Sequence, residues 1–279
     1  MRVLLLGSAA AEGWPALFCT CDACREAWRR GGRNIRRRTS YAVNTDTLVD
    51  FGPDGYWQSV RFGIDLSRIR HLLITHSHDD HFVPAELQWR REGFSRVSGT
   101  MCLYGNQQVL DRLAAEVPET ASDLKLSLEL MQPGRRISAA NGLTLTALEA
   151  QHAGAHETAL NYVIEDGRCA VLIANDTGWW PDTTWEQIRE FRLDAAVLEC
   201  TYGPNRPEVR EGHLGAMATV AMRDRLAALG TLRSGCRVVA NHFTHNGRVL
   251  HEELCEFFQP HGIEVGWDGL ELRLQPASG

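Results

Sequence analysis

The chain has 279 residues, 44% hydrophobic and 23% charged, ordinary globular values that suggest neither a disordered nor a membrane class. Its net charge of -6 argues against a surface that embraces nucleic acid throughout. The apolar run after Arg2 is too short for a secretory signal and no segment approaches the ~20 apolar residues that span a bilayer.

One domain is expected over residues 1–279, because layered α/β folds of this length commonly bury a single core. Residues 3–6 read as a first strand that enters a tight loop at Gly7. A Gly- and Arg-rich excursion at about residues 13–39 follows and carries Cys19, Cys21 and Cys24. Residues 41–43 and 47–49 then form a hairpin around Asn44, Thr45 and Asp46. A buried strand at 72–74 runs into THSHDDH, residues 75–81.

Downstream, 84–91 reads as a helix starting at a first-turn proline, 101–104 as a strand and 106–117 as a helix. Residues 126–149 alternate in the manner of sheet strands. Residues 162–164 and 170–173 form a second hairpin, followed by a helix at 184–191, a strand at 195–199, a helix at 213–229, a strand at 238–239 and a last helix at 247–258. Strands with hairpins followed by helices in each half predict an α/β (α+β) fold of two packed mixed sheets with helices outside.

THSHDDH places His76, His78, Asp80 and His81 within six residues, a density of ligand-type side chains that packing seldom requires. Imidazole and carboxylate suit zinc, manganese or iron, and so many in one turn can serve two adjacent ions. His152, Asp176 and His242 each follow an apolar run by one or two polar residues, so strands can carry all three to the sheet edge that holds His76. A lone histidine would be a surface or core residue; the shared strand-end placement makes these candidate ligands.

The spacing CxCxxC is tight enough for Cys19, Cys21 and Cys24 to grip one zinc ion. A fourth ligand is required, and His245, three residues after His242, is placed to supply it. The other five cysteines are scattered in apolar surroundings, which fits reduced thiols and a cytoplasmic location. Within the arginine run, Arg36, Arg37 and Arg38 are candidates to hold a substrate phosphate through forked hydrogen bonds.

HxHxDH at a strand end resembles the signature of the metallo-β-lactamase superfamily, which implies an αββα sandwich. In that superfamily the positions matching His76, His78 and His152 hold one metal, those matching Asp80, His81 and His242 hold the second, and the one matching Asp176 bridges both. His213 stands where phosphodiesterase members carry a catalytic histidine, and Asp80 is taken with it as catalytic as well as ligating. CTCDAC, RRGGRNIRRR, NDTG, ECTYG, NHFTH and GIEVGWDGLEL further resemble the PhnP-type phosphoribosyl cyclic phosphodiesterases.

That resemblance implies two divalent active-site ions (Mn²⁺ or Zn²⁺), one structural Zn²⁺, and attack of a metal-bridging hydroxide on a small cyclic phosphate such as 5-phosphoribosyl 1,2-cyclic phosphate, in phosphonate catabolism. The implied partners are a small phosphorylated substrate and a second copy in a homodimer, with neither membrane nor nucleic acid. A PqqB-like metal-binding protein or hydrolase is the alternative, since PqqB pairs a cysteine-zinc loop with the same fold. A tRNA 3′-processing endonuclease is disfavoured, because the chain has no long Gly/Pro-rich arm and its charge has the wrong sign for tRNA.

Overall fold

The computed structural model describes residues 1–275. The first sheet uses β1 (Arg2–Gly7), β2 (Ser40–Val43), β3 (Thr47–Val49), β4 (His71–Leu73), β5 (Met101–Gly105) and β6 (Leu126–Leu130). The second uses β7 (Arg136–Ser138), β8 (Thr144–Glu149), β9 (Leu160–Glu165), β10 (Ala170–Ala174), β11 (Leu193–Glu199), β12 (Leu232–Asn241) and β13 (Glu264–Val265), and β14 (Glu271–Arg273) returns to the first. Their spatial orders are β14-β1-β2-β3-β4-β5-β6 and β13-β12-β11-β10-β9-β8-β7, seven strands each. Both sheets are mixed, with β3 to β6 parallel in one and β10 to β13 parallel in the other.

Side-chain alternation along the strands builds the layers. Val3 and Leu5 of β1 face the second sheet and join Tyr41, Leu73, Tyr162, Val171 and Val197 in a shared core. Leu4 and Leu6 face the other way, into a cluster with Leu103 and with Val109 and Leu113 of α3 (Gln107–Glu116). On the far side of the second sheet, Leu172, Leu198 and Val238 pack against Leu226 of α5 (Ala216–Ala228) and Leu254 of α6 (His251–Phe258). The result is an αββα sandwich. Because strands such as β1 and β10 are covered on both faces, they read as unbroken apolar runs.

Several boundaries differ from the sequence expectation. The excursion contains α1 (Asp22–Arg30), and α2 (Gly55–Phe62) follows β3; both carry polar or exposed faces that weaken an apolar periodicity. The segment at 84–91 is a 3-10 helix, Pro84–Arg90, and that at 184–191 is α4 (Asp182–Gln187) followed by a 3-10 turn. α5 begins at Ala216 instead of His213, because Glu199 accepts a hydrogen bond from the Leu214 N–H at 3.0 Å and holds residues 213–215 in a loop. Likewise α6 begins at His251, after a 3-10 turn at His245–Gly247. No helix among the described residues is long and apolar enough to cross a membrane.

Candidate dinuclear metal centre

Strand ends deliver the site. Asp50 follows β3, Asp176 lies two residues beyond β10, and His242 follows β12; all three are non-glycine residues at positive φ (62°, 44° and 61°). Such backbone costs of order 1–3 kcal/mol at each position and clusters where function requires an aimed side chain. After β4 the chain turns tightly: the His81 N–H donates to His78 O at 3.0 Å, and the Phe51 N–H to His81 O at 2.8 Å. Gly52 permits that approach, since a Cβ there would lie 2.0 Å from Asp80 O.

Seven candidate ligands meet in two groups. His78 Nδ1 lies 3.0 Å from His76 Nε2 and 3.3 Å from His152 Nε2. In the adjoining group of Asp80, His81, Asp176 and His242, Asp176 Oδ2 is 2.6 Å from His81 Nε2 and Oδ1 is 2.9 Å from His242 Nε2. Asp176 Oδ2 is also 3.4 Å from His76 Nε2, so this carboxylate stands between the groups.

Outer hydrogen bonds fix which nitrogen points inward. His81 Nδ1 donates to Asp50 Oδ2 at 2.7 Å, and His152 Nδ1 to Gly212 O at 2.9 Å. Thr75 Oγ1 donates to Asp50 at 3.0 Å and can accept from His76 Nδ1 at 3.1 Å. In parallel, Thr201 Oγ1 donates to Glu199 at 2.6 Å and can accept from His242 Nδ1 at 2.9 Å. With Nδ1 protonated, each of these imidazoles offers the lone pair of Nε2 to the cleft, the usual second layer of a metal site.

The inward atoms fit a cation. His81 Nε2, His242 Nε2 and Asp176 Oδ1 are buried without a hydrogen-bond partner among the described residues. Orphaned polar atoms so placed are costly unless something positive lies among them. Charge points the same way: burial opposes ionisation of His81, yet Asp80, Asp176 and Asp50 hold it well above the usual histidine range. Burial likewise opposes charge on His242, but Asp176 and Asp80 raise it to about 10. Burial lowers His76 and His152, which keeps their lone pairs free at neutral pH. Protons and divalent ions compete for the carboxylate-rich group.

His213 lies at the rim. Its Nδ1 is 2.9 Å from Glu199 Oε1, and its ring stands 4.7 Å from that of His152 and 5.8 Å from that of His242. Its Nε2 has no hydrogen-bond partner among the described residues. Burial disfavours the imidazolium, but the Glu199 carboxylate outweighs it and raises His213 above the usual range. His213 Nδ1 also lies 3.6 Å from Asp176 Oδ1.

Cys19, Cys21, Cys24 and His245 form a separate group, with His245 Nδ1 3.5 Å from both Cys19 Sγ and Cys21 Sγ. Burial raises the Cys21 thiol, but His245 and a backbone N–H overcome it and bring it down to about 6, whereas burial pushes Cys24 up to about 12. Glu12 backs the histidine, 3.5 Å from Nε2.

The three candidate arginines separate. Arg36 is buried and donates to Ser8 Oγ at 2.9 Å and Gly266 O at 2.6 Å, so its guanidinium braces the loop and offers nothing to a substrate. Arg37 pairs with Asp268 at 3.3 Å and stacks 3.2 Å over Trp57. Arg38 lines the cleft mouth beside His78 and Asp80.

Sequence reasoning left Asp50, Thr75, Glu199 and Thr201 without roles at the site. Asp50 and Glu199 end the apolar runs of β3 and β11, the same signal that marked His152, Asp176 and His242, so they could have been found.

Residues 43–243 match the family described as Beta-lactamase superfamily domain. A coenzyme PQQ synthesis protein B of Methylorubrum extorquens is 34% identical over 305 residues, covering 98% of this chain and 100% of that protein. An octanoyltransferase of Porphyromonas gingivalis is 28% identical over 286 residues, 97% of this chain, and the chain spans 51% of that protein's length. Among solved structures, Zn²⁺-bound PqqB from Methylobacterium extorquens superposes with a TM-score of 0.76 at 22% identity, over 98% of this chain and 100% of the other. A diphosphatase from the PhnP family superposes with a TM-score of 0.74, also at 22% identity, over 98% and 97%. At such identities these two structures speak for the fold alone.

Proposed function

The chain belongs to the beta-lactamase superfamily, and on that premise we propose that it is a dinuclear metal-dependent hydrolase related to the PqqB- and PhnP-like proteins, acting on a phosphodiester. The observation that carries this reading is the convergence of seven inward-facing ligand atoms, with Asp176 between the two groups. We assign His76, His78 and His152 to one ion, Asp80, His81 and His242 to the other, and Asp176 to both. Two divalent ions there, Mn²⁺ or Zn²⁺, would supply Lewis acidity at the ester oxygens and acidify water.

The chain's own residues supply the rest. Asp50 and the Thr75 and Thr201 hydroxyls keep the ligating imidazoles in one tautomer and orientation. Glu199 holds His213 by Nδ1, which leaves Nε2 to hydrogen-bond a phosphoryl oxygen or deliver its proton to the departing alkoxide. Hydrolysis of a simple acyl ester or lactone does not need that group. Cys19, Cys21, Cys24 and His245 are assigned to one structural Zn²⁺, and the eight unpaired cysteines support a cytoplasmic location. Leu17, Phe18 and Trp28 are exposed on the excursion and support a homodimer through it.

At the level of substrate, sequence likeness supports the PqqB-like reading, since a full-length relative of that name is 34% identical. The cyclic ribosyl phosphate rests on the motif resemblance and on His213. The experiment is hydrolysis of bis-p-nitrophenyl phosphate and of 5-phosphoribosyl 1,2-cyclic phosphate by metal-reconstituted protein, with metal counted. Turnover of either supports the diesterase; inactivity of fully loaded protein on both gives preference to the PqqB-like reading.

A further inference from the structure

We propose that Glu157 is the positioning residue of the first metal group: its carboxylate ties the backbone at Ser77 to the loop that bears His152, and so sets the spacing of His76, His78 and His152. The inference rests on the dinuclear reading and deepens it.

Glu157 lies between β8 and β9, on the segment that also carries His152. Its side chain is 8% exposed, and its bonding partners are neutral donors. Oε1 accepts from the Ser77 N–H and from Asn106 Nδ2, both at 2.7 Å, and Oε2 accepts from Ser77 Oγ at 2.7 Å. A buried carboxylate is costly without such donors, and bonds to an ionised acceptor are stronger than neutral ones. The carboxylate and Ser77 therefore fix each other. Asn106 is itself held, since its Oδ1 accepts from the Val109 N–H at 2.9 Å to cap α3 and its Nδ2 also donates to Thr158 O at 3.0 Å. Arg112 of α3 donates to Ser77 O. The two peptide units that join Ser77 to His76 and to His78 are thus both tied back to one helix.

The first group depends on this bracing because one of its members has no other. His76, His81, His152 and His242 each have an outer partner at Nδ1. His78 turns Nδ1 inward, and its Nε2 has no hydrogen-bond partner among the described residues. Its side chain is also exposed, so the backbone at Ser77 is what places the ring. One carboxylate thus joins the turn bearing His76 and His78 to the loop bearing His152. Glu157 makes no hydrogen bond to Asp80, His81, Asp176 or His242 among the described residues, so its removal should reach one ion and spare the other.

The test is Mn²⁺ titration of protein emptied of cleft metal, with bound ions counted and the electron paramagnetic resonance spectrum recorded. Wild type is expected to take two ions. Glu157→Ala should keep one at unchanged affinity and weaken the other by about 10–100-fold, so that the spectrum at intermediate Mn²⁺ is that of isolated ions. Glu157→Gln retains an acceptor for the Ser77 N–H and should recover part of the loss. Ser77→Ala, which loses only the hydroxyl bond, should weaken the same ion by about three- to tenfold, and it carries the test where Glu157→Ala does not fold. In a His152→Ala background, Glu157→Ala should add nothing to the weakening. Two ions weakened equally, or a lower Tm of metal-free protein with both affinities unchanged, would make Glu157 a structural tie alone and overturn the proposal while leaving the dinuclear reading in place. Failure of wild type to take two cleft ions overturns the dinuclear reading and the positioning role with it.

Discussion

The two halves of the sandwich place the same device on opposite sides of the cleft. In the first, Asp50 holds His81 directly and His76 through Thr75. In the second, Glu199 holds His213 directly and His242 through Thr201. Both carboxylates are fully buried. The difference lies in the directly held histidine: His81 is buried and points at Asp176 from 2.6 Å, whereas His213 remains 23% exposed at the rim. One relay thus serves two candidate ligands; the other serves one candidate ligand and one imidazole at the rim of the cleft.

Breaking the rim position should give the largest effect. His213→Ala is expected to lower kcat on a diester by about 10²–10⁴-fold at unchanged metal content; loss of metal instead would make His213 a ligand. Next come the relays themselves. Asp50→Asn should weaken metal binding by about 10–100-fold, because two inward imidazoles lose their orientation. Glu199→Gln should weaken it less while still lowering kcat, which competition with a chromophoric chelator alongside steady-state rates would separate.

Smaller effects lie outside the cleft. Cys21→Ser should remove one zinc ion per chain and lower the Tm by several degrees, with the cleft metals retained. Unchanged zinc content would contradict the structural assignment. His251 offers a pH dependence: burial, Arg36 and Arg33 lower it to about 4 in the folded chain. Between the usual 6.5 and 4 the unfolded chain binds a proton that the folded chain refuses. Stability should therefore fall as pH drops through that window, by on the order of 1–3 kcal/mol, and His251→Gln should flatten the profile in denaturant titrations.

The sequence made the sandwich and the candidate ligand set legible for one reason. Strands covered on both faces appear as apolar runs, and the polar residue that ends a run is the one aimed into the cleft. That rule marked His76, Asp176 and His242, and applied evenly it would also have marked Asp50 and Glu199. Helices were harder. α1 and α2 lie on the surface with exposed Trp28, Tyr56 and Val60, so their apolar residues do not report burial. The start of α5 was obscured because a buried side chain, Glu199, competes for the Leu214 N–H, a tertiary contact that local periodicity cannot encode. The arginine run was ambiguous for a similar reason: only packing separates Arg36, braced inside, from Arg38 at the mouth.

The most direct test of two adjacent ions is titration of metal-free protein with Mn²⁺, followed by electron paramagnetic resonance with bound metal counted. Two adjacent sites should saturate at two cleft ions per chain with an exchange-coupled spectrum, as ions about 3.5–4 Å apart require. Saturation at a single ion, or two ions with the uncoupled spectrum of isolated Mn²⁺, would contradict that arrangement.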